Sequence, residues 1–305
     1  MEIARDALNA LIAEELHMPV ADAARAMAEH CRLRHNGASI AVLFYGSCLR
    51  QPDQKLGDAL LDFYVIVDDY TAAYGSAMMA WANALLPPNV FYVELPWQGL
   101  QLRAKYAVMS LRQFVAGCSS TARNVSIWAR FCQPTRLVWC RNATSEETLV
   151  EAMSDACRTM FVNALPLTKD STTGDPLAVW REGFKATYAA ELRSESSDRA
   201  LSIVATDEER YRDIASLLLS QTALTRLSPR KTTRSWQGRR RLGKILNYLR
   251  LIKAAFTFDG AVDYVMWKVR RHSGVVVPVS EWQRRHPLLA APGLAWKLYR
   301  RGAFR

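Results

Sequence analysis

With 305 residues, half of them hydrophobic, the chain is long enough to bury a sizeable core and to form two domains. No run approaches the roughly 20 apolar residues that cross a bilayer, and the start Met1–Asp6 lacks the basic-then-apolar layout of a secretory leader. The net charge of +11 is unevenly placed: from Arg226 onward 19 basic residues stand against 3 acidic ones, so a polyanionic partner is expected.

Residues 1–34, rich in Ala and Leu with charges between, predict one or two helices. Ser39–Tyr45 is a short apolar run ending at Gly46-Ser47, the pattern of a buried strand entering a turn, and Leu60–Val67 is a second. Residues 72–86 predict a helix stopped by Pro87-Pro88. Val90–Leu95 and Leu102–Met109 read as strands joined through Pro96-Trp97-Gln98-Gly99. Beyond residue 110 the period is helical over 111–131, 145–165, 177–192, 206–224, 240–256 and 260–271, with loops at Thr168–Pro176 and Ser228–Arg241. Six cysteines with no Cys-x-x-Cys pair and no His at zinc-ligand spacing read as free thiols in a reducing compartment, and the five histidines show no metal-binding pairing.

The segment from Phe44 to Asp69 carries the chemistry. A strand ending in Gly46-Ser47 lets backbone N–H groups approach a phosphate with no side chain in the way, and the Ser47 hydroxyl adds a donor. Asp62 on the next strand can hold Mg²⁺ against the same triphosphate. Asp68 and Asp69 lie about 20 Å further along a straight strand and cannot share that ion. The position two residues after Asp62, where a second acid would stand on the same face, is Tyr64. Glu94, in the Val90–Leu95 run, is therefore the candidate second ligand. Ser47 has no neighbouring His to activate it, which argues against acyl transfer.

Tyr45-Gly46-Ser47, then Leu61-Asp62-Phe63 and Val67-Asp68-Asp69, resembles the mitochondrial translocator assembly and maintenance family, the soluble-type phosphatidate cytidylyltransferases (CDP-diacylglycerol synthases). The resemblance continues at Pro88–Tyr92, Lys105–Ser110, Trp128–Pro134, and at Lys253–Gly260 with Val262–Val265. The chain departs from the family pattern at Ala107, Ala254, Phe258-Asp259 and Tyr70-Thr71-Ala72. The resemblance implies an α+β chain. A nucleotidyltransferase (polymerase-beta-like) mixed sheet with helices would occupy 1–143, and a mainly helical, winged-helix-like domain 144–280. A basic amphipathic membrane-contact tail would follow at 281–305. It implies a reaction of CTP with phosphatidic acid to CDP-diacylglycerol and pyrophosphate, with Mg²⁺ as cofactor. Asp62 and Lys105 would be catalytic, Gly46, Ser47 and Lys105 would bind the nucleotide, Asp62 and Glu94 the metal, and Lys253 and Arg130 the lipid phosphate.

Paired bases at Arg239–Arg241, Arg270-Arg271, Arg284-Arg285 and Arg300-Arg301 recur beside Trp236, Trp267, Trp282, Trp296 and Tyr299, which suits an anionic membrane surface. The last stretch places Leu294 and Leu298 on one helix face. The expected location is cytoplasmic, peripheral on the inner face of the membrane, with no nucleic-acid partner. Two alternatives stay open: a nucleotidyltransferase acting on RNA or a small molecule, and a catalytically inactive nucleotide-binding relative.

Overall fold

The computed structural model describes residues 2–168, 175–191, 197–221, 229–258 and 260–301. The chain opens with helices α1 (Glu2–Leu16) and α2 (Asp22–Leu33) and enters strand β1 (Ser39–Tyr45). A short α3 (Asp53–Leu56) leads to β2 (Leu61–Val67), and α4 (Tyr70–Tyr74) and α5 (Ala77–Leu85) precede the hairpin β3 (Asn89–Trp97) and β4 (Leu100–Ser110). Then follow α6 (Leu111–Cys118), α7 (Trp128–Phe131), β5 (Thr135–Cys140) and α8 (Ala143–Ala164). The helices α9 (Pro176–Tyr188), α10 (Ser197–Thr206), α11 (Glu208–Gln221) and α12 (Pro229–Thr257) come next. α13 (Ala261–Ser273), α14 (Glu281–Arg285) and α15 (Pro287–Arg300) end the described chain. No strand follows Cys140 among the described residues.

The sheet runs β3-β4-β2-β1-β5, with β2 and β4 parallel and the other pairs antiparallel. Alternation sends Leu43, Tyr64, Ile66, Ala107 and Met109 to one face, covered by α1, α6 and α8, and α9 and α11 extend the same apolar cluster outward. Phe44, Phe63, Val65, Tyr106 and Val108 go to the other face, beneath α2, α4 and α5. Both faces are covered, which is why these strands read as unbroken apolar runs rather than alternating ones. The architecture is α+β, as expected. The boundary expected near residue 143 falls where α8 begins. The buried side of α8 shares one apolar cluster with the sheet.

Several elements differ from the sequence reading. The helix expected over 72–86 is two, because Gly75 takes φ +60° and Ser76 caps a fresh start by accepting from the Met79 N–H. The helix expected over 111–131 ends at Cys118, and Ile127 folds back over Gly117, where an added Cβ would come within 2.9 Å of it. β5, absent from the sequence reading, is an edge strand half-buried along much of its length, so it lacks a clean apolar run. The helix expected over 206–224 is α11, with 222–224 outside the described residues, and α10 before it was not expected. The segment 228–241, expected as a loop, is the first half of α12 from Pro229 onward. Trp236 is buried and its indole donates to Asn163 O at 3.1 Å, while Arg239 donates to Ala122 O, so tertiary contacts hold a polar stretch helical. Ser228, residues 169–174 of the expected loop 168–176, and 302–305 of the expected tail lie outside the described residues. Within the tail, Leu294 and Leu298 turn inward with Ala290 against Val262 and Val277.

Candidate active site

β1 leaves the sheet at Gly46, whose φ of +93° belongs to the left-handed region that glycine tolerates. Register then decides what faces this turn. Tyr45 pairs with Asp62, Asp62 with Lys105, and Lys105 with Tyr92. Cross-strand partners share a face, so the four side chains form one row at the edge of the sheet, one step beyond the buried residues Leu43, Tyr64 and Ala107. A Cβ added to Gly46 would sit 3.5 Å from Asp62 Oδ2, and Lys105 Nζ lies 3.9 Å from Asp62 Oδ1. The carboxylate therefore stands between a side-chain-free turn and an ammonium.

Tyr45, Asp62 and Lys105 of this row line a cavity of about 640 Å³ together with Gly46, Ser47, Arg130 and residues of the helical half. Arg130, from α7, donates to the Tyr45 hydroxyl at 2.8 Å, and its guanidinium lies 5.1 Å from the centre of the Tyr45 ring. Burial works against its charge, yet Tyr45, Tyr64, Glu191 and Asp62 around it offset that and hold its pKa above the ordinary arginine range. Burial also pushes the Tyr45 phenol well up, so it stays protonated. The rest of the lining is polar, with Thr187 from the end of α9, Glu191 from the turn after it, and Ser202 and Thr206 from α10. Asp207 stands there too, ion-paired with Arg50. These were not singled out from the sequence. The only trace they leave is the four-residue spacing of Ser202 and Thr206, one turn of α10.

Asp62, Lys105, Gly46, Ser47 and Arg130 thus come together. Two other candidates do not. Glu94 lies two residues from Tyr92 toward the hairpin turn and outside the cavity wall. Its carboxylate accepts from the Tyr92 hydroxyl at 2.6 Å and Gln101 Nε2 at 3.2 Å, and pairs with Arg103 at 3.4 Å. Strand alternation gave it the right face but the wrong distance along the strand. Lys253 is also away from the wall: its ammonium donates to the carbonyls of Leu86 and Pro88, the latter at 2.7 Å, and fastens α12 to the start of β3. Asp68 pairs with Arg141, and Asp69 caps α4 by accepting from the Ala72 N–H. Tyr64 is buried with its ring edge-on to Phe131 at 5.0 Å.

Among the described residues no group of three or more His, Cys, Asp and Glu stands close enough to hold a metal ion by itself. Mg²⁺ that arrives on a triphosphate takes only one or two carboxylates from a protein. Asp62, facing the Gly46-Ser47 corner, fits that smaller requirement, with Ser47 as a neighbouring oxygen donor.

No protein-family model and no curated protein sequence matches the chain. A solved structure of a nucleotidyltransferase-like protein from Exiguobacterium sibiricum 255-15 is similar to it at 13% identity. That match covers 92% of this chain and 91% of the other, with a TM-score of 0.26. The functional reading rests on the cavity itself.

Proposed function

We propose that the chain is a nucleotidyltransferase that joins CTP to phosphatidic acid, forming CDP-diacylglycerol and releasing pyrophosphate. The observation that carries this is the Asp62 carboxylate held against the glycine turn Gly46-Ser47 with Lys105 beside it. A triphosphate laid along the turn meets backbone N–H groups on one side and the Lys105 ammonium on the other. When bound, Mg²⁺ would be held by Asp62 and the phosphates and would neutralise charge on them. Arg130, fixed by the Tyr45 hydroxyl, supplies a second permanent cation deeper in the cavity. An oxygen of the lipid phosphate attacks the α-phosphorus of CTP, the new P–O bond forms, the bond to the β-phosphate breaks, and pyrophosphate leaves with that electron pair. A phosphate monoester is largely ionised near neutral pH, so the nucleophile needs no general base.

Incubation of the purified chain with CTP, Mg²⁺ and phosphatidic acid vesicles, followed by lipid mass analysis and pyrophosphate measurement, tests the proposal directly. Formation of CDP-diacylglycerol is expected. Asp62→Asn should lower turnover by about 10³-fold while circular dichroism stays unchanged, because the carboxylate charge that would hold Mg²⁺ against the reacting phosphates is lost. Wild-type turnover in that variant removes Asp62 from the chemistry. Tyr64 in the second acid position favours one other reading, a nucleotide-binding relative without turnover. CTP binding by calorimetry with no pyrophosphate release would select it.

A further inference from the structure

α12 turns a regular set of side chains to the body of the protein. Trp236 is buried, Arg239 donates to Ala122 O, and Gly243 sits against the Ala190 carbonyl. Arg250 donates to Pro87 O and Ser126 Oγ, and Lys253 to the Leu86 and Pro88 carbonyls. These positions recur at the helical period, so the opposite side of α12 points outward. On that side stand Ile245, Tyr248, Leu249, Ile252 and Phe256, spaced as an amphipathic stripe and between 46% and 69% exposed. α5 carries a second outward stripe, Met78, Trp81 and Leu85, each more than 60% exposed. It runs directly into Leu86–Pro88, the segment that Arg250 and Lys253 hold, so the two stripes belong to neighbouring elements.

Charge identifies the occupant. Pro229–Thr257 contains no acidic residue, and Arg234, Arg240, Arg241 and Lys244 of the same helix are exposed. A second copy of the chain would bring the same positive charge against this surface. A helix with an aliphatic and aromatic face and a wholly basic polar flank is suited to lie flat among the headgroups of an anionic bilayer. In the tail Leu294 and Leu298 are buried against Val262 and Val277, while Trp296 and Tyr299 stand exposed, which makes that helix the control for the test.

We propose that the outward face of α12, with Met78, Trp81 and Leu85 of α5, is the surface by which the protein docks on an anionic lipid bilayer. The inference deepens the functional reading by assigning the surface at which a lipid acceptor is met, and rests on that reading only for the acceptor.

Flotation of the full chain with vesicles of phosphatidylcholine alone, or with about a third anionic lipid, tests it. Wild type is expected to float with the anionic vesicles only. Ile252→Glu/Phe256→Glu and, separately, Trp81→Glu should each lower bound protein by about 10-fold with unchanged circular dichroism. Trp296→Glu/Tyr299→Glu in the tail should lower it by less than about 2-fold. Wild-type flotation by the α12 variant, or no flotation by wild type, overturns the proposal. So does a dimer in light scattering that the α12 variant dissolves, which would make a second copy the occupant. Turnover on a soluble short-chain phosphatidate separates the two readings. Flotation without turnover keeps the surface and removes the enzyme, whereas turnover without flotation does the reverse.

Discussion

At the scale of single residues, Asp62, Lys105 and Gly46 act through their placement on adjacent strands. Lys105 lies one strand over from Asp62 at the same register level, so its cation is aimed at phosphate charge without a flexible loop in between. Lys105→Met should therefore lower kcat by about 10²-fold, while the fold tolerates the change because the side chain is about one-third exposed. Steady-state kinetics with CTP varied check the split between kcat and KM. His35 makes a different prediction, on stability. It is buried between α4 and the sheet, its Nδ1 lies 3.3 Å from Ala73 O, and Tyr74, Phe91 and Tyr106 surround the ring. Burial pulls its pKa down from 6.5 to about 4. Between those values the unfolded chain binds a proton that the folded one does not, so stability is full above 6.5 and falls as pH drops toward 4. Urea midpoints taken at roughly pH 8 and pH 5 should differ by about 2 kcal/mol through this residue. His35→Gln should flatten that difference. The turn and first carboxylate were legible in the sequence because Gly-Ser after an apolar run and Asp at a strand start are local patterns. The misplacement of Glu94 and Lys253 was not, because distance along a strand and across to another element depends on register and packing.

At the scale of elements, strands with both faces buried were easy to read, and three kinds of element were not. β5 hides because an edge strand half-exposed along one side shows no clean period. α4 and α5 were merged because the break between them is one left-handed glycine inside an apolar stretch. The start of α12 was read as a loop because its residues are basic and polar, and what keeps it helical is contact with distant parts of the chain. Gly243 is the tightest of these contacts: a Cβ there would meet Ala190 O at 2.3 Å. Since the obstacle is backbone, relief requires α12 to move away from the end of α9. Gly243→Ala should then lower stability by about 1–3 kcal/mol, although alanine favours a helix over glycine. Thermal denaturation checks the sign. A rise in melting temperature would mean that α12 and Ala190 leave room for a methyl group.

At the scale of the whole molecule, the cavity is built from sequence-distant parts. Asp62, Lys105 and the Gly46 turn come from the sheet, whereas Thr187 comes from α9, Glu191 from the turn after it, and Ser202 and Thr206 from α10. The two share one apolar cluster, in which α8 packs between α9 and the sheet face that carries Tyr64 and Ile66. The uneven charge was visible in the sequence, but this joining was not, since nothing local marks a helix end as the far wall of a strand-edge site. A ligand that touches both walls stabilises both, by RT ln(1 + [L]/Kd), or about 2.7 kcal/mol at a hundred times Kd. CTP with Mg²⁺ should thus shift one cooperative thermal transition upward by a few degrees. Asp62→Asn should lose that shift. If calorimetry instead resolves two transitions and only the earlier one moves with CTP, the halves unfold independently and the nucleotide touches one wall alone. The polar groups of α9 and α10 would then be a surface beside the site rather than part of it.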